Sequence, residues 1–156
     1  LVKYPKTLDI CSAEVQNAAY KLIVAALKTE AAEYVPKRMQ QLAEANGLSF
    51  RGLTITSTRS RWGSCSSGKQ IRISCFVMML PGSLIDLVLL HELAHTVYMS
   101  HSEAFHIKLN SMLPQHNERE LNKELYNNEN YRKAKSIYSF VLSNEEKKYL
   151  YYCQLS

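Results

Sequence analysis

Between Leu80 and Met99 the chain reads LPGSLIDLVLLHELAHTVYM. Apolar residues occupy almost every angular position of a helix wound through this stretch. Such a helix has no face to give to solvent and has to lie at the centre of the fold. Yet His91, Glu92 and His95 sit inside it. Buried polar groups without partners are costly, so the rest of the molecule has to be arranged around whatever satisfies these three.

All five histidines of the chain, His91, His95, His101, His106 and His116, fall in this region, and none precedes residue 91. Residues four apart on an α-helix are offset by roughly 40° and one turn of rise. His91 and His95 therefore point the same way and can reach one ion. Glu92 is turned by about 100° from His91, close enough to approach a water at that ion without ligating it. This is the H-E-x-x-H arrangement of zinc sites. A third ligand is expected, because a catalytic zinc takes three protein ligands and keeps one position open. His101 lies six residues past His95 and would face away, about 240° round, on a continuous helix. The helix is therefore expected to end between Thr96 and Ser100, with a second helix capped by Ser100 and Glu103 and opened by His101. Glu103, His106 or a later acid are the alternatives for the third ligand.

The rest of the chain divides readily. Ser12 to Gly47 is rich in strong helix formers, with Ser12 as N-cap and Asn46-Gly47 as the stop. Pro36 is expected to break it into two helices, with Leu22, Ala25, Ala26, Leu27 and Ala31 on the packed face. LTITST (Leu53 to Thr58) and IRISCFV (Ile71 to Val77) read as strands, pairing antiparallel across the Ser/Gly-rich loop RSRWGSCSSGKQ. On the second strand Ile71, Ile73 and Cys75 share one face, Arg72 and Ser74 the other. Ser83, with Asp86 three residues on, is the expected N-cap of the central helix. Phe105, Leu109 and Met112 continue an apolar side that Pro114 ends. Asn117 to Ser156 is polar, Tyr-rich and expected to be helical in pieces.

With 156 residues, 46% of them hydrophobic, the chain suits one domain with a real core. Its layout is a helical part (1–50), a strand–strand–helix–helix core (51–116) and a helical tail (117–156). The first residue is Leu1, as expected of a fragment, a processed form or a trimmed chain with an N-terminal region missing. No apolar run is long enough to span a bilayer. Neither is there a basic start followed by an apolar run, so no membrane association is expected. Cys11, Cys65, Cys75 and Cys153 form no C-x-x-C pair, which fits reduced, cytoplasmic usage rather than disulfides or a thiolate metal site. The net charge of +5 is spread without a dense block. It permits nucleic acid as a partner but favours an ordinary basic surface.

Two segments together, RSRWGSCSSGKQIRIS and LPGSLIDLVLLHELAHTVYMSHSEAF, resemble the YgjP-like metallopeptidases, relatives of the SprT and WLM groups. Arg59, Arg61, Trp62, Gly63, Ser64, Cys65 and Ser66 match the first part of their pattern. Pro81, Ile85, Asp86, Val88, His91, Glu92, Leu93, His95, His101, Ser102 and Phe105 match the second. The chain departs from the pattern at His106, where the family usually has Trp, and at Ser74, where it usually has Asn. A β-rich N-terminal part common in the family is not found in this sequence.

The resemblance implies an α+β fold, a small, minigluzincin-like zincin. It would have N-terminal helices, a short antiparallel or mixed sheet, the H-E-x-x-H helix and C-terminal helices. It supports one zinc per chain on His91, His95 and His101, with Glu92 as the base in peptide-bond hydrolysis. A peptide or protein is the substrate this implies. Four further residues are candidates for holding it. Ile73 and Ser74 would do so if their strand is an edge to which an extended peptide adds; a core strand is the equal alternative. Arg59 and Arg61 alternate and are expected to point the same way, toward a substrate carboxylate or into structural ion pairs with a residue such as Asp86. Trp62 is expected to pack in the core. Two rivals stand beside the peptidase reading: a DNA-associated protease of SprT or WLM type, and a non-catalytic domain that binds zinc or a partner.

Overall fold

The computed structural model describes residues 12–113 and 118–127. Helix α1 (Ala13–Ala45) is capped by Ser12, whose hydroxyl accepts from the Val15 N–H. Its far end closes as a Schellman motif. The Leu48 N–H donates to the Ala43 carbonyl and the Gly47 N–H to the Glu44 carbonyl, with Gly47 at φ +63. A left-handed residue there favours glycine. The expected break at Pro36 does not occur, and α1 runs through it as one helix. The buried stripe Ala31, Val35, Met39 and Ala43 continues on both sides of the proline, while Pro36 itself faces out. Packing therefore outweighs the missing backbone hydrogen bond. That stripe also lies further along than the expected face. Ala31 and Leu27 touch the core, but Leu22 is 73% exposed, and Ala25 and Ala26 are exposed too.

Three strands follow, β1 (Gly52–Thr56), β2 (Gly63–Cys65) and β3 (Gln70–Ser74), in the order β1-β3-β2. The expected antiparallel hairpin between the two longer strands is corrected. β1 pairs β3 in parallel, from Gly52↔Gln70 to Thr56↔Ser74. The segment read as a loop contains β2, which is the antiparallel partner of β3 through Gly63↔Ile73 and Cys65↔Ile71. The Ser/Gly cluster does supply a hairpin turn, Ser66 to Lys69, closed by the Lys69 N–H donating to the Ser66 carbonyl. Val77 does not extend β3, because Cys75–Met79 coils into a 3-10 turn capped by Ser74.

Helix α2 (Gly82–Ala94) is buried on nearly every side, as its composition requires. Its N-cap is Pro81 rather than Ser83. Asp86, expected in a capping box, instead receives both Arg38 Nε (2.7 Å) and Nη2 (2.5 Å) from α1. This forked, charge-assisted pair ties the two longest helices together. Helix α3 (Glu103–Met112) buries Phe105, Leu109 and Met112 as expected. Its cap is Ser102, not Ser100. Helix α4 (Glu118–Asn127) packs on α2 and α3 and buries Leu121 and Leu125. The remainder of the expected helical tail, 128–156, lies outside the described residues, as do Cys11, His116 and Cys153.

The fold is α+β, with four helices on a small mixed sheet among the described residues, consistent with a small gluzincin-like architecture. Among the described residues no helix is long and apolar enough to cross a membrane. Cys65 and Cys75 are free thiols.

Candidate metal centre

The last turn of α2 carries His91, Glu92 and, at its C-cap, His95. The chain then turns through Thr96, whose hydroxyl donates to the Leu93 carbonyl at 2.7 Å. It returns with His101 one residue ahead of the α3 cap. The helix thus ends slightly before the expected Thr96–Ser100 interval, and His101 belongs to the connection rather than to the next helix. The outcome for the side chains is the one the angular argument requires. Nε2 of His101 lies 3.0 Å from that of His91 and 3.2 Å from that of His95, and His91 and His95 are 3.2 Å apart. The Phe105 ring packs against all three imidazoles, with centroids 4.6–4.9 Å away.

Three ring nitrogens in a triangle cannot satisfy one another. Each Nε2 of a neutral imidazole is a donor or an acceptor, so at least two of the three share a role. One role is fixed. His95 Nδ1 is 2.9 Å from the Tyr98 carbonyl oxygen, which only accepts, so Nδ1 carries the proton and a neutral His95 offers its Nε2 lone pair inward. Burial pushes the His95 pKa down, opposed by that hydrogen bond and helped by His101. Burial, then the neighbouring histidines, drives His91 down to about 3. His91 and His95 are therefore held in the neutral form, the form that binds a cation. A small tetrahedral divalent ion with bonds of roughly 2.0–2.1 Å separates its ligands by about 3.3 Å, within a few tenths of the observed spacing. The donor set fits a metal ion, and these three are a potential ligand group.

Glu92 is 5% exposed, and its Oε2 has no hydrogen-bond partner among the described residues. Burial raises its pKa to about 8, against the opposing pull of the Arg61 charge. β2 lies directly on it, since a Cβ placed on Gly63 would come within 2.5 Å of Glu92 Oε1. Cys65, two residues along the same strand, has its thiol pKa raised by burial and then by the Glu92 charge.

A family model described as YgjP-like, metallopeptidase domain, matches residues 2–127. The chain belongs to this family. A search of curated proteins and a search of solved structures each found no match. Membership in a metallopeptidase family accords with the histidine triangle, and the matched region includes all three nitrogens and Glu92.

The other candidate residues of this YgjP-like chain fare differently. Ile73 is fully buried on the central strand, with β1 on one side and β2 on the other. Both backbone edges of β3 are taken, so no peptide can add there. Ser74 is 2% exposed; its hydroxyl donates to the Thr58 carbonyl at 2.7 Å and accepts from the Phe76 N–H. Neither side chain is available to a substrate. Arg59 and Arg61 have different neighbours. The Arg59 guanidinium sits 5.3 Å from the centre of the Tyr20 ring on α1, whereas Arg61 acts electrostatically on Glu92. Asp86 is held by Arg38. Trp62 is partly buried against the core, as expected. His106 is not in the triangle; its Nδ1 meets Glu118 Oε2 at 2.8 Å, joining α3 to α4.

Sequence reasoning missed three parts of this site. Gly63 was legible as part of the R-x-R-W-G-S-C-S resemblance but without a physical role. The Tyr98 carbonyl carries no side-chain signal at all. The His106–Glu118 pair spans two helices, and nothing local connects them.

Proposed function

We propose that the chain is a zinc-dependent peptidase, with His91, His95 and His101 holding one zinc ion and Glu92 as general base. The convergence of three imidazole nitrogens on one point, with the adjoining Glu92 buried and its Oε2 without a hydrogen-bond partner among the described residues, carries this reading. Zinc suits an all-imidazole set better than calcium or magnesium, which take oxygen ligands. When bound, it supplies Lewis acidity toward a water and a peptide carbonyl.

The chain's own residues do the rest. The protonated Nδ1 of His95, held by the Tyr98 carbonyl, fixes the imidazole so that its lone pair faces the ion. Glu92, whose proton affinity burial raises, takes a proton from the attacking water at one carboxylate oxygen. The same carboxyl returns the proton to the departing amine, so the base is regenerated within one cycle. A carboxylate in its ordinary range would be a much weaker base for the first step. Among the described residues β2 is an edge strand of the sheet, and an extended substrate would pair along it rather than along β3. Arg61, two residues before β2, would meet a substrate carboxylate or carbonyl.

Glu92→Gln tests the assignment. The variant should retain zinc, because Glu92 is not a ligand, and should lose hydrolysis of an internally quenched peptide library by at least about 100-fold. A Glu92→Gln enzyme with wild-type turnover would remove Glu92 from the mechanism.

A further inference from the structure

Gly63 is held in β2 opposite Ile73, and its backbone gives no reason for glycine. Among the described residues the glycine with positive φ is Gly47, so the backbone at Gly63 is one that any residue adopts. The reason lies in what faces it. A Cβ at this position would meet Glu92 Oε1 at 2.5 Å, Cγ at 2.6 Å and Cδ at 2.8 Å. All three nearest atoms belong to one side chain, and none is backbone. Elsewhere the chain has glycines with open space around them, such as Gly82, where a larger residue meets no obstacle.

Resting on the assignment of Glu92 as base, we propose that Gly63 is a positioning residue: the missing side chain is what lets the Glu92 carboxylate lie against β2. Real side-chain carbons do not approach to such distances, so an alanine here forces something to move. The α2 backbone is anchored by fully buried Leu89, Leu90 and Leu93, and β2 is hydrogen-bonded to β3. The Glu92 side chain is the softest element in the contact. It would swing aside, leaving fold and metal ligands in place while the carboxylate leaves its station. Displacing a reacting group by about 1 Å is enough to cost on the order of 100-fold in rate. Gly63 thus works on turnover through Glu92.

The test compares wild type and Gly63→Ala in the full chain loaded with zinc. Crystal structures read the Glu92 carboxylate position. Cleavage of an internally quenched peptide library reads kcat and KM, and mass spectrometry reads the zinc content. The expected result is a displaced carboxylate, kcat down by on the order of 100-fold, and KM and zinc content within about twofold of wild type. A carboxylate that stays in place, or one that moves with no loss of kcat, overturns the proposal. If Gly63→Ala does not fold, Gly63→Ala/Glu92→Ala decides. Recovery of folding supports the contact, and failure of both shows that glycine serves the strand instead. Should zinc-loaded wild type cleave no peptide, the peptidase reading falls, while the crystal comparison still decides whether Gly63 places Glu92.

Discussion

Glu92 and His91 adjoin in sequence and are pushed in opposite directions by the same burial. Glu92 rises from 4.5 to about 8, and His91 falls from 6.5 to about 3. The consequences for stability have opposite signs. Folding the metal-free chain makes Glu92 hold a proton that the unfolded chain gives up near pH 4.5. The Glu92 contribution is therefore fully present below about 4.5 and is lost as pH rises toward about 8. His91 sheds a proton on folding, so its contribution is present above about 6.5 and is lost as pH falls toward about 3. With metal stripped by a chelator, Glu92→Gln should be more stable than wild type at pH 8 by up to a few kcal/mol, and equal to it near pH 4.5. Thermal unfolding of both proteins at the two pH values checks this; a stability difference that does not change with pH would contradict it. At this scale the sequence was readable where helix geometry alone fixes direction, as for His91, Glu92 and His95. His101 was readable because a ligand is needed and only a broken helix can supply it. Tyr98 was not, since it contributes a carbonyl that every residue possesses. Ile73 and Ser74 were misplaced because a side-chain pattern says nothing about which strand is central.

Among the elements, the long helix and the buried helix were legible from composition, whereas strand pairing was not. β2 is three residues of Gly, Ser and Cys, with weak strand preference. Without it the two longer strands look like neighbours in a hairpin, although they run parallel. Pro36 misled for a related reason: local propensity argues for a break, but the stripe from Ala31 to Ala43 is buried as one surface. Because the helix is continuous, the proline is a net cost within it. Pro36→Ala is expected to restore a backbone donor and raise stability by about 1–3 kcal/mol, seen as a higher denaturant midpoint with an unchanged slope. A loss of stability would mean that the proline shapes the helix in a way the packing depends on. The Arg38–Asp86 fork acts at the same scale. Arg38→Ala leaves a half-buried carboxylate without its partner and should cost about 1–3 kcal/mol, with zinc affinity unaltered because Asp86 lies more than one turn before His91 on α2.

In the whole molecule, the metal and the fold are coupled. The three nitrogens come from α2 and from the connection to α3, so an ion bound to all of them braces α2 against the start of α3. Zinc at 100 times its dissociation constant should stabilise the chain by about 2.7 kcal/mol, read as a rise in melting temperature that a chelator reverses. The buried central helix followed from the apolar run before His91, and the α+β architecture from the strand and helix readings together with the family resemblance. The packing of α4, with His106 on Glu118, depended on contacts between segments distant along the chain and had no local signature.

The claim that joins these scales is that three histidines hold one ion. Zinc content per chain, measured by mass spectrometry after dialysis against buffered zinc, tests it in wild type and His101→Ala side by side. One zinc per wild-type chain, lost or greatly weakened in His101→Ala, is the required result. No zinc in the wild type, or full retention in His101→Ala, would contradict it.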